Sequence, residues 1–387
     1  MEYRLIKLID CCFDFLPAFD KPGQVPERYR ESYGYTDFIR KWMDAAVVGH
    51  INYEGEKMIG DIPYVFFKGR RGFFHIPFKT LRYIKKQQPE VVLTQGLIFP
   101  LQVIALHLTL GKRCRIITQH HGEKPFPGIK RIFQQWADRC TNAYLFTASE
   151  NAHPWIARRI ICDKNKCHEV LEASTYFKPM EKEMSRQRLG MPGTDNFLWV
   201  GRLHANKDPL TVLHGFEKYL TQNAAAKLYM IYQGEDLIRE VNAFISRSHL
   251  LREAVFLKGE VPHEALPCWY SAADFYISGS HEEGSGYALL EAMACGCIPV
   301  VTDIPSFRKI TGEGKYGLLY PPGNAGALCM LLCSLEDVDK DKLSLAVRNY
   351  FSEALSFESI ARQVFSICHE LTAETLPEHG MRNKAKA

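Results

Sequence analysis

Short runs of β-forming apolar residues alternate along almost the whole chain with segments whose apolar residues recur at helical spacing. The predicted strands of the first half are RLIKLID, YVFF, VVLT, CRIIT and AYLFT, and its predicted helices are TDFIRKWMDAAVV, FKTLRYIKK, FPLQVIALHL and GIKRIFQQWADR. The predicted strands of the second half are FLWV, KLYMIY, AVFL, DFYIS, CIPVVT and YGLLY, separated by the helical patterns PLTVLHGFEKYL, LIREVNAFISRSHL, HEALPCWYSAA and YALLEAMAC. Such alternation with short links is typical of parallel, doubly wound α/β sheets.

The chain of 387 residues is long enough to form two hydrophobic cores. A polar stretch at 178–196 has neither a strand pattern nor a clear core face, so we predict that it connects two Rossmann-like domains. The first domain is predicted over 1–180 and the second over 181–355. A C-terminal helix within 356–387 is predicted to pack back on the first domain and to end in a frayed, Lys/Arg-rich tail after Glu378.

The twelve cysteines lie mostly inside apolar periodic segments, which favours reduced core thiols in a cytoplasmic protein over a disulfide framework. Neither Cys11/Cys12 nor Cys295/Cys297 has the doubled CxxC spacing of a zinc site, so no metal site is expected. The chain has no unbroken apolar run of about eighteen residues. Its first residues lack the pattern of a signal peptide.

The formal net charge is only +4, but the basic residues concentrate in the first half, in the stretch FFKGRRGFFHIPFKTLRYIKK. Its basic residues, which alternate with aromatic ones, are Lys68, Arg70, Arg71, Lys79, Arg82, Lys85 and Lys86. A surface of this kind suits an anionic membrane face or a phosphate-bearing partner. The solvated face of an ordinary helix would explain the same pattern equally well.

Ligands of doubly wound sheets bind at the carboxyl ends of the strands, and three segments in such positions carry polar residues. The first is HEEGSGYALLEAMACGC, in which Gly284, Ser285 and Gly286 precede a helix predicted to begin near Tyr287. Backbone amides at this helix start could hold a phosphate. Glu283 would project towards the attached group, and Glu291 could accept hydrogen bonds from a ribose diol. A solvated glutamate pair beside a helix cap is the alternative.

The second segment, LWVGRLHANKDPL, has a strand that ends at Gly201, followed by Arg202 and Lys207. These two cations could neutralise a diphosphate, although a pair of ordinary surface cations is the simpler alternative. The third segment, TQHHGE, contains His120 and His121 at a strand end. Adjacent residues of a strand point to opposite faces, so at most one of these histidines is expected to face a ligand.

These three segments, in this order and spacing, resemble the retaining family 4 glycosyltransferases of the GT-B fold. The resemblance is carried by VGRL with Arg202 and Lys207, by GEVPHEALPCWYSAADFYISGSHEEGSGYALLEAMACGCIPVV and by YGLLYPPGN. It places Glu283 and Glu291 as the two glutamates of the family's Glu-x7-Glu motif. The first half resembles the family more loosely, through VVLTQG, TQHHGE and LFTASE.

The resemblance implies two facing Rossmann-like domains with an interdomain cleft and a nucleotide-diphosphate-sugar as donor. Arg202 and Lys207 would hold the diphosphate, assisted by the amides of Ser285, Gly286 and Tyr287. Glu283 would bind the donor sugar and Glu291 the ribose, and His121, with His120 as a competitor, would lie near the sugar. The implied reaction is transfer to a hydroxyl of a glycan or lipid-linked acceptor with retention, without a metal or other cofactor.

The resemblance and the basic first half together suggest surface polysaccharide synthesis at the inner face of the cytoplasmic membrane, and no nucleic-acid partner is expected. Two departures from the family pattern concern the site. The family's paired-glycine loop after the first strand is replaced by LIDCCFDFLPAFDKPGQVPERY, and its EGFG is EGSG, with Ser285 in place of an aromatic residue. A nucleotide-sugar epimerase or hydrolase of the same fold, and a non-catalytic nucleotide-sugar-binding protein, are the alternative functions.

Overall fold

The computed structural model describes residues 5–70, 72–193, 195–234 and 236–373. The chain divides into two compact units, one formed by the residues up to Ala173 together with those from Phe357, and the other by Ser174–Ser356. Arg71 and the predicted frayed tail after Glu378 lie outside the described residues.

The first unit is built on an eight-stranded sheet of order β3-β4-β2-β1-β5-β6-β7-β8. Its strands are β1 (Ile6–Leu16), β2 (Met43–Ile51), β3 (Gly55–Ile59), β4 (Ile62–Phe67), β5 (Val91–Gln95), β6 (Arg115–Gln119), β7 (Ala143–Phe146) and β8 (Cys167–Glu169). Its helices are α1 (Gln24–Arg28), α2 (Arg30–Tyr33), α3 (Thr36–Ile39), α4 (Phe78–Gln87), α5 (Pro100–Leu110), α6 (Lys130–Asp138) and α7 (His153–Ala157), with 3₁₀ turns at Gly111–Arg113, Ser149–Ala152 and Lys164–Lys166. All pairings are parallel except β3 with β4.

The second unit is built on a six-stranded parallel sheet of order β11-β10-β9-β12-β13-β14. Its strands are β9 (Asn196–Arg202), β10 (Lys227–Gln233), β11 (Val255–Gly259), β12 (Phe275–Ser278), β13 (Ile298–Thr302) and β14 (Leu318–Tyr320). Its helices are α8 (Lys182–Leu189), α9 (Pro209–Leu220), α10 (Ile238–Arg247), α11 (His249–Ala254), α12 (Leu266–Ala272), α13 (Tyr287–Ala294), α14 (Pro305–Ile310), α15 (Ala325–Cys333) and α16 (Lys340–Tyr350), with 3₁₀ turns at Ala205–Lys207, His263–Ala265 and Ser334–Asp337 and a π-helical turn at Phe351–Leu355.

The long helix α17 (Phe357–Ala373) closes the described chain and belongs to the first unit. The ring of Phe357 fills the space beside Gly34, where an added Cβ would lie only 2.5 Å from it. Lys41 forms an ion pair with Glu358 at 3.0 Å. The helix is therefore attached to the segment between α2 and β2 by both packing and charge.

The predicted α/β class with two doubly wound sheets is confirmed, but two predicted elements are wrong. The helix predicted over TDFIRKWMDAAVV is a short helix, α3, followed by the central strand β2. β2 lies between β1 and β4, and both faces of its second half are buried. A strand buried on both faces has a continuous run of apolar residues, and such a run also fits the spacing of a helix. The stretch 178–196, predicted as a connection, contains α8 of the second unit.

No helix in the described part of the chain is both long and apolar enough to span a bilayer. All twelve cysteines are free thiols, and half of them are buried. Burial, for example, raises the pKa of Cys114, Cys295 and Cys368 to about 12, so that these thiols stay protonated at neutral pH.

Candidate functional site

The strand order of the second sheet reverses between β9 and β12, which pair side by side through Phe197 and Phe275. The segments that follow these strands, 203–208 and 279–286, leave the same edge of the sheet because the strands are parallel. Such a switch point is where open parallel sheets bind ligands. The structure therefore brings together the two segments in which the sequence predicts a diphosphate site.

Asn206 fastens these two segments to each other. Its amide group donates to the carbonyl of Glu282 at 2.8 Å and accepts from the N–H of Glu282 at 2.9 Å. Its own carbonyl accepts from the N–H of His281 at 2.8 Å. Gly279 permits this approach, since an added Cβ would lie 2.7 Å from the carbonyl oxygen of Asp208. The arrangement of the two segments is thus fixed by the side chain and the backbone of Asn206 and by the close approach at Gly279.

Within this framework Lys207 and Glu283 form an ion pair, in which the ammonium of Lys207 donates to Oε1 of Glu283. Both side chains are largely covered, with 23% and 14% of their surfaces exposed. Arg202 lies at the end of β9, is exposed, and has no hydrogen-bond or ion-pair partner for its guanidinium among the described residues. At Gly201 an added Cβ would approach the ring of Trp199 to 3.2 Å.

The glycine-rich turn leads from Glu283 into α13. Gly284 and Ser285 are half-buried, and Tyr287, the first residue of the helix, is 41% exposed. Gly286 adopts a φ of 65°, and an added Cβ would lie 2.9 Å from Ile310, so both the conformation and the space favour glycine. The positive end of α13 therefore lies at the switch point, where it favours an anion.

Glu291, on the second turn of α13, is buried and already hydrogen-bonded within the protein. Its carboxylate accepts from the hydroxyl of Tyr270 at 3.0 Å and lies 2.7 Å from Nε2 of His263. The ring of Phe177 packs against His263 with 4.9 Å between centroids. His263 is about half exposed, whereas only 7% of the Glu291 side chain is exposed.

The two glutamates share a neighbour, the buried hydroxyl of Tyr276. Burial, and after it the charge of Glu283, raises the pKa of Tyr276, and the charge of Glu291 adds to this effect. Burial and the charge of Glu291 likewise raise the pKa of Tyr270. Both tyrosines therefore remain protonated and can act only through neutral hydroxyl groups.

In the first unit the two adjacent histidines have different environments. His120 is buried, packs on Phe146 and Trp155, and places Nε2 3.0 Å from the carbonyl of Glu123. His121 keeps 32% of its side chain exposed. Of the two, His121 is therefore the one that can reach a ligand.

His121 belongs to a chain of hydrogen bonds that leads to the buried carboxylate of Asp10. Tyr35 donates to Oδ2 of Asp10 at 2.7 Å, and the amide nitrogen of Gln95 donates to Oδ1 of Asp10 at 2.7 Å. The amide oxygen of Gln95 then faces Nε2 of His121 at 2.7 Å, and Nδ1 of His121 contacts the carboxylate of Glu172. Because both ring nitrogens face oxygens that accept, the network requires an imidazolium at His121.

The electrostatic environment of this network agrees with that charge. Burial by itself lowers the pKa of His121, but the hydrogen bond and charge of Glu172, followed by Glu123 and Asp10, raise it above the ordinary value. Burial raises the pKa of Asp10 to about 6, although hydrogen bonds from Gln95 and Tyr35 and the charge of His121 oppose the shift. The imidazolium of His121 is therefore surrounded by three carboxyl groups, those of Glu172, Glu123 and Asp10.

Sequence reasoning did not identify the partners of the predicted residues. Asn206, His263 and Tyr270 lie near the second-unit residues, and Asp10, Gln95 and Glu172 lie near His121. A signal was present for Asp10, because a carboxylate inside a predicted buried strand calls for an explanation. The sequence around the other partners gives no indication of their role, because only the fold brings them close to the predicted residues.

We expect the substitution Glu172→Gln to lower the pKa of His121 by about one to two units, because it removes the charged acceptor of a hydrogen bond worth about 1.5–3 kcal/mol. The raised pKa means that the pair stabilises the fold at pH values below the unfolded histidine pKa of about 6.5, and that this stabilisation is lost as the pH rises through the folded value. In Glu172→Gln the loss should therefore occur at lower pH. The ¹⁵N shifts of the imidazole of His121, followed through a pH titration, measure the change.

The matched control for this titration is Glu169→Gln, three residues away, whose carboxylate binds Ser149. It should leave the pKa of His121 unchanged. An unaltered His121 titration in Glu172→Gln would show that the carboxylate does not hold the imidazolium.

Among the described residues, no group of three or more His, Cys, Asp or Glu side chains is arranged to hold a metal ion. The Glu172, His121 and Asp10 network is instead connected by direct hydrogen bonds.

Residues 181–349 match the family described as "Glycosyl transferases group 1". The mannosylfructose-phosphate synthase of Agrobacterium fabrum is 30% identical to this chain over 166 residues, which cover 41% of this chain and 35% of that protein. The GDP-mannose:cellobiosyl-diphosphopolyprenol alpha-mannosyltransferase of Xanthomonas campestris is 24% identical over 257 residues, covering 65% of this chain and 66% of that protein. The chain spans 35%, 41% and 37% of the length of three of the curated relatives it matches.

Among solved structures, a glycosyltransferase from Rickettsia africae superimposes with a TM-score of 0.70 at 16% sequence identity, covering 95% of this chain and 99% of that one. At this identity the similarity establishes the fold. The two doubly wound units are those of the GT-B fold, and the sequence match to the group 1 glycosyl transferases lies in the second unit.

Proposed function

We propose that this protein is a retaining glycosyltransferase that moves a sugar from a nucleotide-diphosphate-sugar to a hydroxyl group of a glycan or lipid-linked acceptor. The observation that carries the proposal is the meeting of Arg202, Lys207 and the positive end of α13 at the switch point of the second sheet. Two cations and a helix N-terminus in one place match the charge of a diphosphate. The residue match to group 1 glycosyl transferases over the same unit supports it.

In the proposed reaction the bond between the anomeric carbon and the diphosphate oxygen breaks, and a bond from that carbon to the acceptor oxygen forms on the same face. The acceptor proton passes to the departing diphosphate, so the protein needs no carboxylate base. Its contribution is to stabilise charge on the leaving group and to position the reactants. Arg202 and Lys207 supply this charge without a metal ion.

The ion pair of Lys207 with Glu283 gives the proposal a specific first step. A bound diphosphate would draw the ammonium of Lys207 away from the carboxylate, and Glu283 would then be free to accept hydrogen bonds from the donor sugar. The amides of Gly284, Ser285, Gly286 and Tyr287 would assist at the phosphate. Gly201 has no side chain, so the backbone at the end of β9 stays uncovered beside Lys207.

Glu291 would bind the ribose hydroxyls by exchanging its contact with the half-exposed His263, while Tyr270 continues to hold the other carboxylate oxygen. His121 would offer the donor sugar a charged hydrogen-bond donor held by Glu172. The Xanthomonas relative, whose name specifies GDP-mannose and a diphosphopolyprenol-linked acceptor, supports a nucleotide-sugar donor and a lipid-linked acceptor. We place the reaction in the cytoplasm, at or near the membrane.

A thermal-shift panel of UDP-, GDP-, ADP- and TDP-sugars tests the donor site. We expect one base series to raise the melting temperature, since a ligand at a hundred times its Kd stabilises the folded state by about 2.7 kcal/mol, or roughly 5–10 °C for a unit of this size. Glu291→Ala should abolish the shift, because it removes the carboxylate proposed to bind ribose. Glu291→Gln keeps the shape of the side chain and controls for loss of packing around Tyr270.

The same panel, run with product analysis, separates the alternatives. Donor turnover only when an acceptor is present identifies a transferase, whereas turnover without an acceptor identifies an epimerase or hydrolase. Binding with no turnover under either condition identifies a nucleotide-sugar-binding protein. No shift from any of the four series would contradict the proposed donor site.

A further inference from the structure

Asp10, in the middle of β1, is a buried carboxyl group without a cationic side chain bound to it. It is 1% exposed, and among the described residues its hydrogen bonds come from two neutral groups, the hydroxyl of Tyr35 and the amide of Gln95, each at 2.7 Å. The charge that acts on it is that of His121, which lies on the other side of Gln95. A buried charge is costly unless it is paired, so the presence of Asp10 calls for an explanation.

Asp10 is also unfavourable for the stability of the fold at neutral pH. Burial raises its pKa from the ordinary 3.8 to about 6, so the folded chain holds the proton more tightly than the unfolded chain does. Stability is therefore lost as the pH rises from 3.8 to about 6, and it stays lower at higher pH. A residue that lowers stability wherever it is ionised is better explained by a role in function than by a role in folding.

Among the described residues, the titratable groups around Asp10 are neutral near pH 7, with the exception of His121. They come from β1, from α2 and the residues that follow it, from β4 and, beyond Tyr35, from α17, and burial raises the pKa of each: Cys11, Cys12, Tyr33, Tyr35, Tyr64 and Cys368. Three carboxyl groups face His121 in turn: Glu172, Glu123 and Asp10. A change in the charge of Asp10 therefore acts on His121.

Gln95 connects Asp10 to His121 through its amide group, which has one end that donates and one end that accepts. The ionised carboxylate of Asp10 can only accept, so it binds the amide nitrogen of Gln95 and turns Oε1 towards His121. Because Oε1 can only accept, Nε2 of His121 must carry a hydrogen. Nδ1 of the same ring faces the carboxylate of Glu172, so the ring holds both hydrogens and a positive charge.

We propose that Asp10 and Gln95 are positioning residues of the transfer reaction: ionised Asp10, acting through the amide of Gln95, holds His121 as an imidazolium that presents the N–H of Nε2 to the donor sugar. The inference rests on the proposed function, in which His121 donates to that sugar. A sugar hydroxyl that accepts from Nε2 of His121 can donate its own hydrogen to Oε1 of Gln95, since a hydroxyl group does both.

Asp10→Asn in the full-length protein tests this inference, because it removes the charge and keeps the shape of the side chain. We expect it to lower the pKa of His121 by about one unit, since a nearby opposite charge is lost. The basic limb of the pH profile of kcat should move to lower pH by the same amount, and activity should approach the native level at about pH 5.5, where an imidazole is protonated without help. The ¹⁵N shifts of the imidazole measure the pKa, and His121→Gln identifies the signal by its absence.

The melting temperature of the same variant separates a functional role from a structural one. Because ionised Asp10 disfavours the folded state, Asp10→Asn should raise the melting temperature at about pH 8 and have little effect at about pH 4. A residue that served only to hold the fold together would give the opposite result, a lower melting temperature at about pH 8.

Thr94→Val is the matched control for damage to the sheet around Gln95. Thr94 precedes Gln95 on β5 and is buried, and its hydroxyl contacts the carbonyl of Ile117 at 3.2 Å and the hydroxyl of Thr118 at 2.9 Å. The variant loses these buried hydrogen bonds, so it should lower the melting temperature. It should leave the pKa of His121 and the pH profile unchanged.

Two variants at Gln95, which is half-buried, test the amide itself. Gln95→Leu removes the acceptor that faces Nε2 of His121 and should lower the pKa of His121, as Asp10→Asn does. The double variant Asp10→Asn/Gln95→Glu moves the carboxylate from position 10 to position 95, directly beside Nε2 of His121. It should restore both the pKa and the basic limb of the pH profile to the native values or above.

An unchanged His121 titration in Asp10→Asn and in Gln95→Leu would overturn the inference. A lowered pKa without a shift in the pH profile would also overturn it, as would a loss of activity that low pH does not restore. The titration requires no donor, so its failure contradicts this inference alone. A native protein that binds no nucleotide-sugar contradicts the proposed function instead.

Discussion

The substitution Arg202→Ala is expected to lower kcat/KM for sugar transfer by about 10²–10³-fold while leaving the melting temperature unchanged. Arg202 is exposed and has no side-chain partner among the described residues, so its removal should alter stability by no more than about 0.5 kcal/mol. Its proposed role is confined to the leaving diphosphate, where a fixed cation acts on charge that develops in the transition state. A steady-state assay with the donor identified by thermal shift measures the loss.

Arg239→Ala is the matched control, because Arg239 is also an exposed arginine of the second unit without a partner among the described residues. It should retain full activity. Lys207→Ala is a less direct test, since it also leaves Glu283 without its ion-pair partner. Near-normal turnover by Arg202→Ala would remove Arg202 from the proposed mechanism, whatever the behaviour of Lys207.

The positions of the second-unit site residues could be predicted because strand ends and glycine turns are local sequence features. Gly201 and Arg202 end an apolar run, and Gly286 begins a helix at a φ that favours glycine. In a parallel sheet the carboxyl ends of the strands lie at one edge, so the positions of these residues could be predicted without knowing which residues contact each other. The sequence could not show that Lys207 and Glu283, 76 residues apart, pair with each other.

The first unit was harder to predict because its polar residues act through distant partners. The chain from Tyr35 through Asp10 and Gln95 to His121 and Glu172 joins five separate segments, and no sequence pattern shows that these segments meet. Choosing between the two adjacent histidines also required the structure. The aromatic contacts that bury His120 come from residues up to thirty-five positions away, on β7 and α7.

The stretch 178–196 shows a different limit of pattern-based prediction. Its lack of an apolar face predicts a connection, yet α8 within it contacts α12 and is held by charge to Asp274, which follows α12. Arg186 and Lys182 of α8 both bind the carboxylate of Asp274, which is 4% exposed. A helix held by buried ion pairs carries no hydrophobic periodicity, so the search for periodicity does not find it.

This ion-pair cluster leads to the second large expected effect. Arg186 binds both oxygens of Asp274, at 2.8 and 2.7 Å, Lys182 lies 2.6 Å away, and the N–H of Asn196 at the start of β9 donates at 2.9 Å. Asp274→Ala should destabilise the second unit by about 3–5 kcal/mol, because it removes the buried carboxylate that both Arg186 and Lys182 bind and takes the partner from the buried N–H of Asn196. Hydrogen exchange of peptides from β9 and β12, followed by mass spectrometry, measures this unit separately from the first.

Glu183→Gln is the matched control, because Glu183 also pairs with Arg186 but at 3.5 Å and with 75% of its side chain exposed. Such an exposed pair is worth at most about 1 kcal/mol, so exchange rates in this variant should stay close to those of the native protein. If Asp274→Ala had an effect no larger than that of Glu183→Gln, α8 would have to be held by its apolar contacts. In that case the charge cluster would specify where α8 docks without stabilising the unit.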